Sequence, residues 1–175
     1  MEQNPHRQPD RWTSLNIGLH WLILALIVVQ WTDAEWMPRL FDAWNESRAV
    51  TQGTLIGGWL HMLTGAAVFL AVALRLWDRW THGRPAHPED EPHWTALLAR
   101  VTHFALYAVL LAMPLLGLGA VLLGSEALAG VHTTLWTLLL VLVGLHLLGV
   151  AANRWWFHSR TDVLARMMPG NGRRM

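Results

Sequence analysis

The sequence predicts an all-α membrane protein, a bundle of four transmembrane helices with both termini in the cytoplasm. Three observations carry this. Of the 175 residues, 53% are hydrophobic and only 14% charged, whereas soluble domains carry about 25% charged residues. Four stretches, 15–32, 55–77, 101–123 and 131–153, come close to or exceed the roughly 20 mostly apolar residues that a helix needs to cross a bilayer. Finally, the basic residues are all Arg, and they are distributed unevenly. Arg7, Arg11, Arg75, Arg79, Arg84, Arg100, Arg154, Arg160, Arg166, Arg173 and Arg174 fall on one side of such a bundle, and only Arg39 and Arg48 on the other. The excess of Arg marks the cytoplasmic face.

The elements follow in order. Residues 1–10, MEQNPHRQPD, are polar, and no small-residue cleavage site follows the first apolar run, so no cleaved leader is expected. The first span, 15–32, is short, but Trp31 and Trp36 at its outer end suit the headgroup level. Residues 33–54 read as an outer loop rich in Asp, Glu and Trp. The second span, 55–77, ends in Arg75 and Arg79. An inner loop, 78–100, holds three Pro and several His. The third span, 101–123, contains Pro114, which predicts a kink, with Gly117 and Gly119 just beyond. A tight outer turn, 124–130, leads into the fourth span. The whole chain, 1–175, reads as one membrane domain without internal repeats. The net charge of +1 says little about partners; no nucleic-acid partner is expected, and self-association stays open.

The chemistry lies in the histidines. Cysteine is absent, which removes thiolate metal sites and leaves imidazole as the best metal ligand. His6, His82, His87 and His93 lie in polar segments and read as solvated. His20, His61, His103, His132 and His146 fall within spans, where ionisable groups are rare and functional by default. The topology pairs four of them by depth: His20 with His146 in the inner leaflet, His61 with His132 in the outer. His132 and His146 are fourteen residues apart, within about 40° of four full turns, so both project from one stripe about 21 Å apart. Zinc would want three or four ligands converging on one point. With no Asp or Glu inside the predicted spans, nothing continues a proton pathway either. Two imidazoles at each of two depths suit bis-His ligation of haem iron. Gly57, Gly58 and Gly65 share a helical face with His61, Gly144 and Gly149 flank His146, and Gly18 precedes His20. They provide either room for a macrocycle or close helix packing.

The pattern resembles the bacterial cytochrome b561 family of small four-helix membrane proteins with two haems. The matching stretches are GLHWLI at 18–23, WLHMLTGAAVFLAVALRLWDR at 59–79, THFALYAVLLAMPLLGLG at 102–119, GLHLLGVAA at 144–152 and DVLARMMP at 162–169. The resemblance implies two haem b groups, an inner one on His20 and His146 and an outer one on His61 and His132. It also implies the bacterial inner membrane as the location and electron exchange with the quinone pool. Arg75 and Arg79 would contact haem propionates or serve as positive-inside anchors. His103 and Tyr107 would contact a propionate or quinone. After the fourth span the chain departs from the family pattern: AANRWWFHSRTD has Asn153 and Arg154 where further His are usual, and His158 is the nearest substitute.

The resemblance implies an electron carrier between quinone and a partner outside. The outer segments hold Asp33, Glu35, Asp42, Glu46 and Glu126 against Arg39 and Arg48. An acidic face of this kind suits a basic redox protein such as a soluble cytochrome c. One member type of the family is a superoxide oxidase, which passes an electron from superoxide to ubiquinone. That is the second reading here, because an acidic face does not steer an anion inward. A non-redox scaffold with structural histidines is the third. Met62 and Met113 read as packing. Trp31, Trp36, Trp44 and Trp59 read as interfacial anchors, with a quinone wedged among them as the alternative.

Overall fold

A computed structural model describes residues 12–83, 85, 93–155 and 167–168. Among these residues the chain is all-helical, with five helices: α1 (Ser14–Asp33), α2 (Trp36–Asn45), α3 (Gln52–His82), α4 (His93–Leu123) and α5 (Glu126–Trp155). The four long ones are each long and apolar enough to cross a membrane. They run beyond the hydropathy boundaries, because a helix continues into the headgroup region wherever capping and packing support it. α3, at 31 residues, is about 46 Å long, well over the hydrocarbon thickness.

Local chemistry sets the ends. Thr13 caps α1 by accepting from the Asn16 amide, and Thr51 caps α3 by accepting from Thr54. α4 stops at Gly124, whose φ of +59° is left-handed. The next amide, Ser125, then bonds back to Ala120 O at 3.0 Å. Ser125 and the acidic Glu126 start α5 at once. The turn predicted over 124–130 is therefore two residues long. α4 continues through Pro114.

The predicted outer loop 33–54 contains α2. This helix buries Leu40, Phe41 and Ala43 against the start of α3. Gly57 and Gly58 make the seat: a Cβ at Gly57 would fall 2.4 Å from Trp36 Cγ, and one at Gly58 2.3 Å from Leu40 Cδ2. These two glycines serve helix packing, and the space beside them is not available to a macrocycle.

In the bundle, α1 packs along α3, α3 against α4, and α4 along α5, while α5 makes no comparable backbone approach to α1 or α3. Leu19, Ile23, Val68, Ala71, Val72, Val109, Leu110, Met113, Leu139 and Leu142 form the core. Leu139 lies midway between His132 and His146, so this apolar plug separates the two histidine levels. Around it, Leu22, Leu63, Leu70, Leu118, Leu140 and Leu147 are exposed, as a lipid-facing surface requires. Exposed Trp form two belts: Trp31, Trp44 and Trp59 at the α2 end, and Trp77, Trp80, Trp94 and Trp155 at the end where the chain terminates.

Candidate functional site

Each of the two levels carries a pair of imidazoles. At the α2 end, His61 of α3 faces His132 of α5 with ring centroids 6.1 Å apart and planes at 69°. At the terminal end, His20 of α1 faces His146 of α5 at 6.2 Å and 70°. The two spacings agree although the helices that supply them differ. Both exceed the separation of directly hydrogen-bonded rings, which is about 5 Å for an N···N distance near 2.9 Å. An imidazole nitrogen bonds a first-row metal at about 2.0 Å, so two rings on one iron put their centroids about 6.3 Å apart. Among the described residues no three His, Asp or Glu converge on one point as a bare ion would need. The paired helices, α1 with α5 and α3 with α5, are also the ones that do not pack closely. Spacing, pairing and this gap fit a bis-His macrocycle at each level.

Residues behind the rings differ at the two levels. At the α2 end, His61 Nδ1–H donates to Asp33 Oδ1 at 2.8 Å. His132 Nδ1–H donates to the Met113 carbonyl at 2.9 Å. Both bonds fix the tautomer that leaves Nε2 free to bind metal, the usual role of a carboxylate or carbonyl behind a ligand. Gly117 permits the second bond, since a Cβ there would stand 3.0 Å from His132 Nδ1. Gln30 ties α1 to this turn of α3, donating to His61 O and Thr64 Oγ1, both at 2.7 Å.

At the terminal end, Arg75 Nη1 donates to His20 Nδ1 at 2.7 Å, and Arg75 Nε donates to Asn16 Oδ1 at 3.1 Å. Arg75 is only 7% exposed, so the positive-inside anchoring reading fails for it. A guanidinium can only donate, so His20 Nδ1 is the acceptor here. For His20 to bind metal through Nε2, its proton must move to Nδ1 and Arg75 must turn to another acceptor, such as a carboxylate. Asn16 Nδ2 donates to Asp78 Oδ2 at 3.0 Å, Thr13 Oγ1 donates to the same oxygen at 2.7 Å, and His82 Nδ1 lies 3.1 Å from Asp78 Oδ1. His82 is thus the last residue of α3 and a partner of Asp78, where the sequence had placed it in a solvated loop.

His103 comes within 5.0 Å of the His146 ring, centroid to centroid, and donates Nδ1–H to Ala99 O at 2.6 Å. Arg79 lies over the rings of Trp12 and Tyr107, at 5.8 and 5.9 Å from their centroids. Arg75, His103 and His146 therefore cluster, with Arg79 and Tyr107 stacked together on the same two helices. Trp21, beside His20, donates Nε1–H to Met167 O at 2.7 Å, which fastens part of the C-terminal segment over this end. His158, together with His6 and His87, lies outside the described residues.

The sequence reading missed two acids. Asp33 and Asp78 lie one residue beyond the predicted spans, yet the structure puts them inside α1 and α3, 4% and 3% exposed. The predicted spans hold no acid, but α1 and α3 run past them and bury one acid each near their ends. This removes Asp33 from the acidic outer face.

The fold and the site define the class, a multi-span helical membrane protein with two stacked pairs of facing histidines in its bundle. A profile for prokaryotic cytochrome b561 matches residues 11–170, and the chain belongs to that family. It is thus a multi-pass bacterial membrane protein of electron transfer that carries haem b. Among its relatives is the probable superoxide oxidase CybB of Yersinia pestis, 22% identical over 183 residues, covering 91% of this chain and 96% of that one. Another is cytochrome b562 of Cereibacter sphaeroides, 27% identical over 164 residues, covering 92% and 97%.

Proposed function

We propose that the chain holds two haem b groups, on His61 with His132 and on His20 with His146, and carries electrons between the quinone pool and a redox partner across the inner membrane. The α2 end faces out and both termini face the cytoplasm, as the Arg asymmetry supports. The observation that carries the reading is the equal spacing of the two imidazole pairs, 6.1 and 6.2 Å, across helices that otherwise stand apart. Haem supplies a one-electron iron couple when bound.

The chain's own residues do the rest. Asp33 and the Met113 carbonyl orient the ligands at the α2 end. Arg75, released from His20, pairs with a propionate as a forked donor. Arg79, His103 and Tyr107 surround the same end and offer hydrogen bonds to a propionate or a quinone oxygen. The Leu139 level keeps water from the path between the sites.

For the outer partner, the exposed charge is smaller than the sequence count. Glu35 pairs with Arg39, and Glu46 with Arg48. Asp42 and Glu126 make no ion pair among the described residues, and they are the acids that a basic redox protein would meet. The second reading is superoxide:quinone oxidoreduction, which the name of the Yersinia pestis relative favours. Against it, both Arg at the α2 end are already paired with Glu. Rapid haem reduction by superoxide with consumption of quinone would establish it.

The deciding experiment is haem per polypeptide, with reduced-minus-oxidised spectra, for the wild type and for His20→Ala, His61→Ala, His132→Ala and His146→Ala. Two haems in the wild type and one in each variant are expected. One or none in the wild type refutes the pairing.

A further inference from the structure

The two ligand pairs have the same spacing but opposite charge behind them. His61 carries the Asp33 carboxylate on its Nδ1. Asp33 Oδ2 is buried without a hydrogen-bond partner, so no other donor draws its charge away from the ring. The other hydrogen-bond partners at this pair among the described residues are uncharged: Gln30 and Thr64 near His61 O, and the Met113 carbonyl at His132. At the other level the group on His20 Nδ1 is the Arg75 guanidinium, with Arg79 one turn away on the same helix. Asp78 offsets one of these two cations through Asn16.

A carboxylate on the back of a ligand imidazole raises its basicity and favours the ferric state. Behind the other pair no carboxylate meets a ligand imidazole among the described residues, and Arg75, once turned from His20 to a propionate, offsets that group's negative charge, which works against the ferric state there. We propose that Asp33 is a positioning and tuning residue that holds the α2-end iron at a lower potential than the Arg75 end. This rests on the two-haem reading above.

The test is a potentiometric titration of the two-haem protein, with His61→Ala used to identify the component that belongs to the α2 end. Asp33→Asn keeps the shape and removes the charge. It should raise the α2-end component alone and narrow the split. At a fixed ambient potential the ferric-to-ferrous ratio of that component should fall about tenfold or more, and tenfold is 59 mV for one electron. Asp33→Glu should restore the lower value. The proposal is overturned if the wild-type α2-end component is already the higher of the two, if Asp33→Asn leaves it in place, or if both components move together. If Asp33→Asn sheds a haem, Asp33→Glu decides: an α2-end component still below the terminal one supports the proposal, and one at or above it overturns it. A wild-type protein without two haems refutes the earlier reading instead, and haem stoichiometry measured first separates the two failures.

Discussion

Gly117→Ala tests the hydrogen bond behind one imidazole. The added Cβ would stand 3.0 Å from His132 Nδ1 and 3.1 Å from Cε1, so the ring must retreat by a few tenths of an ångström. The Nδ1–H···O bond to Met113, now 2.9 Å, would stretch to about 3.3 Å and lose most of its value. A net hydrogen bond is worth about 1 kcal/mol, and overpacking adds about 1–3 kcal/mol. Taking about 2 kcal/mol in total, haem affinity at the α2-end site falls about thirtyfold, within the 10- to 100-fold range expected for lost second-shell support. The same change favours the α4 helix by about 1 kcal/mol, so general destabilisation would not account for a loss. The assay is titration of detergent-solubilised apoprotein with haemin, followed at the Soret band, with Gly149→Ala as control because its Cβ would meet nothing within 4 Å. Two haems bound as tightly in Gly117→Ala as in the wild type would refute the reasoning, as would weakening of the terminal-end site instead.

Two further outcomes follow from packing and charge. Leu40 is completely buried against Gly58, so Leu40→Ala should cost about 2–5 kcal/mol and lower the thermal midpoint in detergent; an unchanged midpoint would mean that α2 is not docked. Asp42→Asn with Glu126→Gln should slow reduction or oxidation by a basic cytochrome c several-fold at low salt and flatten its salt dependence, and an unchanged on-rate would place the partner elsewhere.

Much of the site was legible in the sequence because membrane burial leaves strong signatures. Runs of about 20 apolar residues locate the spans, and a 14-residue interval puts His132 and His146 on one stripe. The misses have physical causes. α2 is too short to span a bilayer, and Pro38, Arg39 and Asp42 give it the look of a loop. Its signal is the spacing of Trp36, Leu40, Ala43 and Trp44, one face of an amphipathic helix. Asp33 and Asp78 were lost at span edges, because hydropathy places an acid outside the boundary by construction. A helix tolerates an acid in its last turns when a neighbour supplies partners, as His61 does for Asp33 and Asn16 with Thr13 for Asp78. The sequence leaves Arg75 between a propionate contact and a cytoplasmic anchor. Its spacing from Asp78 and Arg79, three and four residues, forms a polar stripe on α3. That stripe faces Asn16 and His20 on α1, which are likewise four apart.

The same geometry explains why α5 carries both inner-facing histidines. In lipid, apolar faces gain little by meeting each other, so helices associate through close packing of small residues or through polar contacts. α1 and α3 have such contacts through Gln30, Asn16 and Asp78, and α4 meets α5 where Gly117 receives His132. Between α5 and the α1–α3 pair the described polar groups are the facing imidazoles, held too far apart to bond each other directly. Nothing in the protein alone rewards that spacing twice, at levels about 21 Å apart along one helix. On the two-haem reading proposed above, a ligand that bridges each pair does, and its binding free energy then closes the bundle. On that reading the fold repeats one ligand geometry on a single shared wall and leaves the difference between the sites to the residues behind the rings, Asp33 at one end and the Arg75–Asn16–Asp78 network at the other.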